Sequence, residues 1–219
     1  MKPIEISIPT NIKAQENAEA ENLKVYVHQN VYKAVEAYSA YDLSNECGSV
    51  LMGDYVENED GMHIIISDFI EARYTDATAS SLTFTHDTWD FIHMRRDRNC
   101  PEKRIMGWHH THPGYDIFLS VYDMFIHQNF FDLPFQVAYV VDPVKDKRGF
   151  FRWKDGNIEK LQGFYIYDDE KHPIKLPKKK SANKENTVSI PKAVMVAGAV
   201  LLLLTTVVGA FSLGILLGR

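Results

Sequence analysis

Cysteine is close to absent: Cys47 and Cys100 are the only two in 219 residues. Two thiols that far apart make no disulfide framework, and a reducing compartment is the simpler setting. An excess of basic charge is also missing. The chain has 24 Lys and Arg against 29 Asp and Glu, a formal net charge of -5, which gives no case for a nucleic-acid partner. No apolar stretch follows Lys2, so no cleavable signal is expected. No internal repeat is visible. The length fits one domain with a tail, and residues 1–165 suffice for a sizeable core.

Against these absences stands one long apolar run. Val194 to Leu217 carries no charged side chain over 24 residues. As a helix it would extend about 36 Å, enough to cross a hydrocarbon core of about 30 Å. Before it, Lys175, Lys178, Lys179, Lys180, Lys184 and Lys192 face the single acid Glu185, and only Arg219 follows. The excess of lysines on the N-terminal side predicts a single-pass, tail-anchored membrane protein with its folded domain in the cytoplasm. The same lysines can meet anionic headgroups. Ala210, Gly214 and Gly218 recur every four residues, a stripe through which two such helices can weakly self-associate. The expected organisation is a polar N-terminal segment (1–22), a folded domain (23–170), a basic linker (171–192) and a transmembrane helix (193–217).

Within the domain the pattern alternates between periods. Strands are expected at Leu23–His28, Gly48–Met52, His63–Phe69, Ser81–Thr85, Arg104–His110 and Gln136–Val141, with a short one at Ile4–Ile8. Gly149–Trp153 and Lys160–Tyr167 should pair across the Asp155-Gly156 turn. Helical spacing covers Val31–Tyr41, Thr85–Arg95, with Trp89 and Ile92 inward, and Ser120–Phe131. The fold class is therefore mixed α+β, a central mixed sheet flanked by helices.

The chemistry concentrates between Trp108 and Asp123, which reads WHHTHPGYDIFLSVYD. Side chains two apart on a strand share a face, so His110 and His112 project together while His109 and Thr111 point the other way. Pro113 and Gly114 then turn the chain. At the start of the next helix, Ser120 and Asp123 are three apart and face one point. His110, His112 and Asp123 together make a three-ligand metal set, which leaves a fourth position open as in catalytic zinc. Ser-x-x-Asp before an apolar run also reads as a helix capping box, and the two roles are compatible. Metal-assisted hydrolysis needs a base. Glu46, at the lip of the glycine-bounded run ECGSVLMG, is the candidate, with a solvated loop acid as the alternative. Cys47 beside it fits a small buried hydrophobe better than a nucleophile or fourth ligand. His127, four residues after Asp123, shares that helix face and can support the ligands from behind.

Glu46 with its strand, His110-x-His112-Pro113, seven residues (113–119) and Ser120-x-x-Asp123 together resemble the JAMM motif of the JAB/MPN metallopeptidase family, over roughly residues 24–165. The form around Glu46 is closer to prokaryotic-type members. Phe118 stands where many members carry Trp, and Thr111 where many carry Ser. The resemblance implies an MPN/JAB-like sheet and one Zn2+ per chain on His110, His112 and Asp123. It further implies Glu46 as general base and then acid, and Ser120 as oxyanion donor. The expected activity is hydrolysis of an amide or isopeptide bond, with a ubiquitin-like protein or another peptide as substrate. The alternative is a catalytically silent scaffold organising partners at a membrane, although such relatives typically lack one of the ligands kept here.

Overall fold

The computed structural model describes residues 6–20 and 22–176. The expected transmembrane helix and most of the basic linker lie outside those residues. Among the described residues no helix is long and apolar enough to cross a membrane.

The domain is a mixed α+β fold on a nine-stranded sheet. The strands are β1 (Ile12–Glu16), β2 (Leu23–His28), β3 (Gly48–Asn58), β4 (Gly61–Glu71), β7 (Arg104–Thr111), β8 (Val137–Asp142), β9 (Lys147–Lys154), β10 (Asn157–Lys160) and β11 (Gly163–Tyr167). Their spatial order is β1-β11-β2-β4-β3-β7-β8-β9-β10. The strand expected over Ser81–Thr85 is only the two-residue β6 (Leu82–Thr83), which pairs separately with β5 (Asp76–Ala77). The helices are α1 (Gln29–Ser39), α2 (His86–Asn99) and α3 (Val121–Phe130).

Each face of the sheet has its own core. On one side Val31, Tyr32 and Val35 of α1, spaced to share one stripe, pack on Val25, Leu51, Ile64, Ile66 and Tyr139. On the other, Ile92 of α2 and Ile126 of α3 pack with Val50, Met52, Trp108, Phe131 and Val140. The strand pairing of β7 with β3 shifts register between Leu51 and Met52. That irregularity re-aims the chain, so Met106 and Trp108, two residues apart, lie in opposite cores. Gly107 sits at the shift with φ +146, and a Cβ there would fall 1.9 Å from the Val137 carbonyl oxygen. Only glycine fits.

Helix ends follow local chemistry. α2 starts at a reciprocal Thr85/Thr88 capping box and runs four residues past the expected Arg95, stopping at Cys100 just before Pro101. At the other end of the chain the Asp155-Gly156 turn joins β9 to the short β10, rather than to one strand reaching Tyr167. The chain breaks at Leu161 and Gln162. β11 then leaves β9 and pairs with β2 in parallel and with β1. Gly163 permits this, because a Cβ there would lie 2.3 Å from the Gln15 carbonyl oxygen. The N-terminal strand among the described residues is Ile12–Glu16; of the expected Ile4–Ile8, residues 6–8 are described and form no strand. Its mostly exposed side chains give no alternation to read.

Candidate metal centre

β7 brings its alternate histidines to opposite faces, as the strand period requires. His109 turns toward α1, where its Nδ1 meets Ser49 Oγ at 3.1 Å and its Nε2 meets Ser39 Oγ at 2.9 Å. His110 and His112 turn the other way and bring their Nε2 atoms within 3.1 Å of each other. Asp123, on the first turn of α3, faces both: Oδ1 is 3.4 Å from His110 Nε2 and Oδ2 is 3.3 Å from His112 Nε2. All three side chains are buried.

Four-coordinate zinc with ligands at about 2.0–2.2 Å separates neighbouring ligand atoms by about 3.3 Å. The two imidazole nitrogens, 3.1 Å apart, are close to that edge, and each has a different oxygen of the Asp123 carboxylate at 3.3–3.4 Å. Two ring nitrogens facing one carboxylate in a buried pocket suit a cation shared by all three. The donor set of two imidazoles and one carboxylate is one that zinc accepts.

Glu46 completes the group. Its backbone N–H donates to the Thr78 carbonyl at 2.8 Å, which fixes the lip of β3 against the β5–β6 pair. Its Oε1 lies 3.6 Å from His112 Nε2, and its buried Oε2 has no hydrogen-bond partner among the described residues. Glu46 is therefore not the solvated loop acid its segment allows. Burial pushes its carboxyl up to about 7; His112 opposes this and Asp123 adds to it. A cation held by the three ligands would draw it back down.

Burial holds His110 below its ordinary value and so neutral near pH 7, as a ligand must be. Burial also pulls His112 down, but Asp123 and Glu46 outweigh it and leave the ring above its ordinary value. The backbone of Asp116 lies against His112 and adds to that upward pull without closing a hydrogen bond. For Asp123 burial acts upward, but His110, His112 and Ser120 outweigh it and hold the carboxyl far below the usual range.

Ser120 is the N-cap of α3. Its Oγ accepts the Asp123 N–H at 3.2 Å, while its own N–H donates to Asp123 Oδ2 at 2.7 Å. The capping box thus includes Asp123, the candidate ligand, without excluding it from the cluster. His127 also faces inward, fully buried, and its Nδ1 accepts the Trp108 Nε1–H at 3.1 Å. Trp108 in turn stacks on the His110 ring at 4.3 Å. This bond ties α3, which carries Asp123, to β7, which carries His110 and is followed directly by His112. Phe118 lies over His112 at 4.7 Å and is 45% exposed, an aromatic lip. Cys47 is partly buried, hydrogen-bonded with Tyr38 and Thr111, and burial pushes its thiol up to about 11, consistent with an inert packing residue.

Asp142 is the residue that motif reading passes over. Asp142-Pro143 reads only as a strand end, yet its buried carboxylate accepts N–H bonds from Gly114 and Asp116, inside the loop between the ligands.

Comparison with known proteins bears on this geometry. Residues 20–133, more than half the chain, match the family described as JAB1/Mov34/MPN/PAD-1 ubiquitin protease. The chain is 38% identical over 61 residues to the 26S proteasome regulatory subunit rpn11 of Schizosaccharomyces pombe, covering 27% of this chain and 20% of that one. It is 35% identical over 131 residues to COP9 signalosome complex subunit 5 of Candida albicans, covering 56% of this chain and 20% of the relative. The chain thus spans about a fifth of the length of either relative. Among solved structures, protein DSY2949 from Desulfitobacterium hafniense aligns with a TM-score of 0.49 at 14% identity, over 70% of this chain and 99% of that one.

Proposed function

Because this chain belongs to the JAB1/Mov34/MPN/PAD-1 ubiquitin protease family, we propose that it is a JAMM-type zinc metallopeptidase that hydrolyses an amide or isopeptide bond, with a ubiquitin-like protein or its precursor as substrate. The observation that carries this reading is the convergence of His110, His112 and Asp123, whose ligand atoms lie within 4.8 Å of one another in a buried pocket, with Glu46 3.6 Å from His112.

His110, His112 and Asp123 would hold one zinc per chain. When bound, zinc supplies Lewis acidity that lowers the pKa of a water to about 7 and polarises a carbonyl. Glu46 is placed to take the proton of the attacking water and to pass it to the leaving amine. Ser120 Oγ already accepts the Asp123 N–H, which leaves its hydroxyl proton to donate toward a developing oxyanion. The histidines and Asp123, wholly or almost wholly buried, keep bulk water from competing for these contacts.

The form around Glu46 supports a prokaryotic-type member. The apolar run Val194–Leu217 and the lysines before it support a membrane anchor with the domain on the cytoplasmic side. Deleting residues 190–219 should then release the chain from membranes, and unchanged co-sedimentation would refute the anchor. The central test is metal content together with cleavage. The purified full chain should carry about one zinc and should cleave at least one member of a panel of ubiquitin-like fusions in a chelator-sensitive way. Zinc-free protein, or cleavage indifferent to chelator, would overturn the reading. Stoichiometric zinc with no cleavage across the panel would favour the silent scaffold.

A further inference from the structure

Asp142 ends β8 and is 0% exposed. Its carboxylate accepts four backbone N–H bonds. Oδ1 takes those of Gly114 at 2.9 Å, Val144 at 3.0 Å and Lys145 at 3.0 Å; Oδ2 takes that of Asp116 at 2.7 Å. Two of these donors belong to its own turn. The other two belong to the loop 113–119, which joins His112, the residue just past the strand that carries His110, to the helix carrying Asp123.

That loop is short and conformationally costly. Gly114 has φ +84 and Asp116 has φ +75. A residue with a Cβ rarely adopts the second value and keeps it only when its surroundings over-determine it. Both left-handed residues send their N–H to the same carboxylate. Two residues before Gly114, the His112 N–H donates to the Val141 carbonyl at 2.9 Å. The end of β8 therefore grips the chain at 112, 114 and 116, at the second histidine ligand and directly after it. Past the grip, Ile117 and Phe118 lead into the Ser120 cap that orients Asp123.

We propose that Asp142 is a positioning residue of the metal centre: its carboxylate fixes the 113–119 loop in the one conformation that holds His112 and Asp123 at ligand spacing. This rests on the zinc reading above. An amide cannot substitute. Asp142→Asn replaces one acceptor oxygen with an NH2 group whose hydrogens meet N–H donors, so it loses either the Asp116 bond or the three on the other oxygen. Asp142 would then act on the metal through the loop and not by contact.

The test compares wild-type full chain with D142N in three measurements: zinc affinity by competition with a chromophoric chelator, the visible spectrum of the cobalt-substituted protein, and melting of the metal-free protein. Removing support behind a metal ligand typically weakens metal binding by about 10–100-fold. D142N should lose zinc affinity within that range and should shift the cobalt bands. A residue serving only fold stability would lower the melting temperature while leaving affinity and spectrum at wild-type values, and that result overturns the proposal. Wild-type protein that takes up no zinc sinks the zinc reading and this inference together; wild-type binding with an unchanged D142N sinks only the inference. If D142N does not fold, amide exchange in the wild-type protein decides. Slow exchange at Gly114 and Asp116 without metal supports the grip, and exchange as fast as an open loop refutes it.

Discussion

His110, His112 and Asp123 lie inside the domain, whereas His28, Asp168, Asp169 and His172 sit where the chain leaves β11. Both groups place imidazole nitrogens and carboxylate oxygens close together, and the difference lies in what each atom already does. His28 caps α1, its Nδ1 accepting the Asn30 N–H at 3.3 Å. In the neutral ring this leaves the proton on Nε2, which faces Asp168 Oδ1 at 3.7 Å. A metal would need that nitrogen's lone pair. Asp168 is also bonded by Gln29 and lies 3.3 Å from the exposed His172. In the interior group, the two metal-facing Nε2 atoms meet each other and the carboxylates of Asp123 and Glu46, and Glu46 Oε2 has no hydrogen-bond partner among the described residues. The comparison teaches that a ligand set is recognised by donors left available in a dry site, and not by residue types in proximity. The outer group reads as a clasp for the segment after β11.

Substitutions can break this contrast. The largest effect is expected from His112→Ala, which should take zinc from about one per chain to none and abolish cleavage. Stoichiometric zinc in that variant would place the metal elsewhere. Next comes Glu46→Gln, which removes the proton carrier and no ligand. Turnover should fall by about 10²–10⁴-fold with zinc retained, and near-wild-type turnover would dismiss Glu46 as the base.

Ser120→Ala is expected to be milder and to have two readouts. Loss of an oxyanion donor should cost about 10²–10³ in kcat. Loss of the cap should cost about 1 kcal/mol of stability, visible in denaturant unfolding. A stability loss with unchanged kcat would leave Ser120 as a cap alone.

The smallest effect sharpens the other side. Asp168→Asn should leave zinc content and turnover unchanged while lowering the melting temperature at neutral pH. Burial acts upward on the Asp168 carboxyl, but Gln29, the Asp169 N–H and His28 outweigh it and hold it below its ordinary value. A depressed folded value means its stabilisation is present above the unfolded carboxylate range and is lost as pH falls through the folded value. The difference between variant and wild type should therefore shrink in acid below about pH 4. Loss of zinc from this variant would show the two groups to be coupled.

Much of the fold is legible from periodicity. β2, β7, β8 and the helices carrying Val31, Ile92 and Ile126 have apolar side chains at their expected spacing, because each buries one stripe or face. What periodicity does not reveal has physical reasons. β1 is an edge strand with mostly exposed side chains, and only its backbone pairing defines it. The break between β10 and β11 depends on a close backbone approach at Gly163. At the candidate site, His110, His112, Ser120 and Asp123 are readable because strand period and helix cap are local. Glu46 reads from its own segment as a solvent-facing acid, and its burial arises only when β3 pairs beside β7.

By itself the sequence determined which donors are offered, the face on which each histidine projects, the cap that starts α3 and the apolar run at the C-terminal end. These follow from interactions spanning a few residues, which any chain with this order must make. Tertiary structure alone decided that Glu46 meets His112 across two strands, that His127 secures Trp108 behind His110, and that Asp142 grips the loop between the ligands. Those contacts join residues 19 to 66 positions apart. Burial, which sets their strength and leaves the donors unsatisfied, exists only once the sheet has assembled.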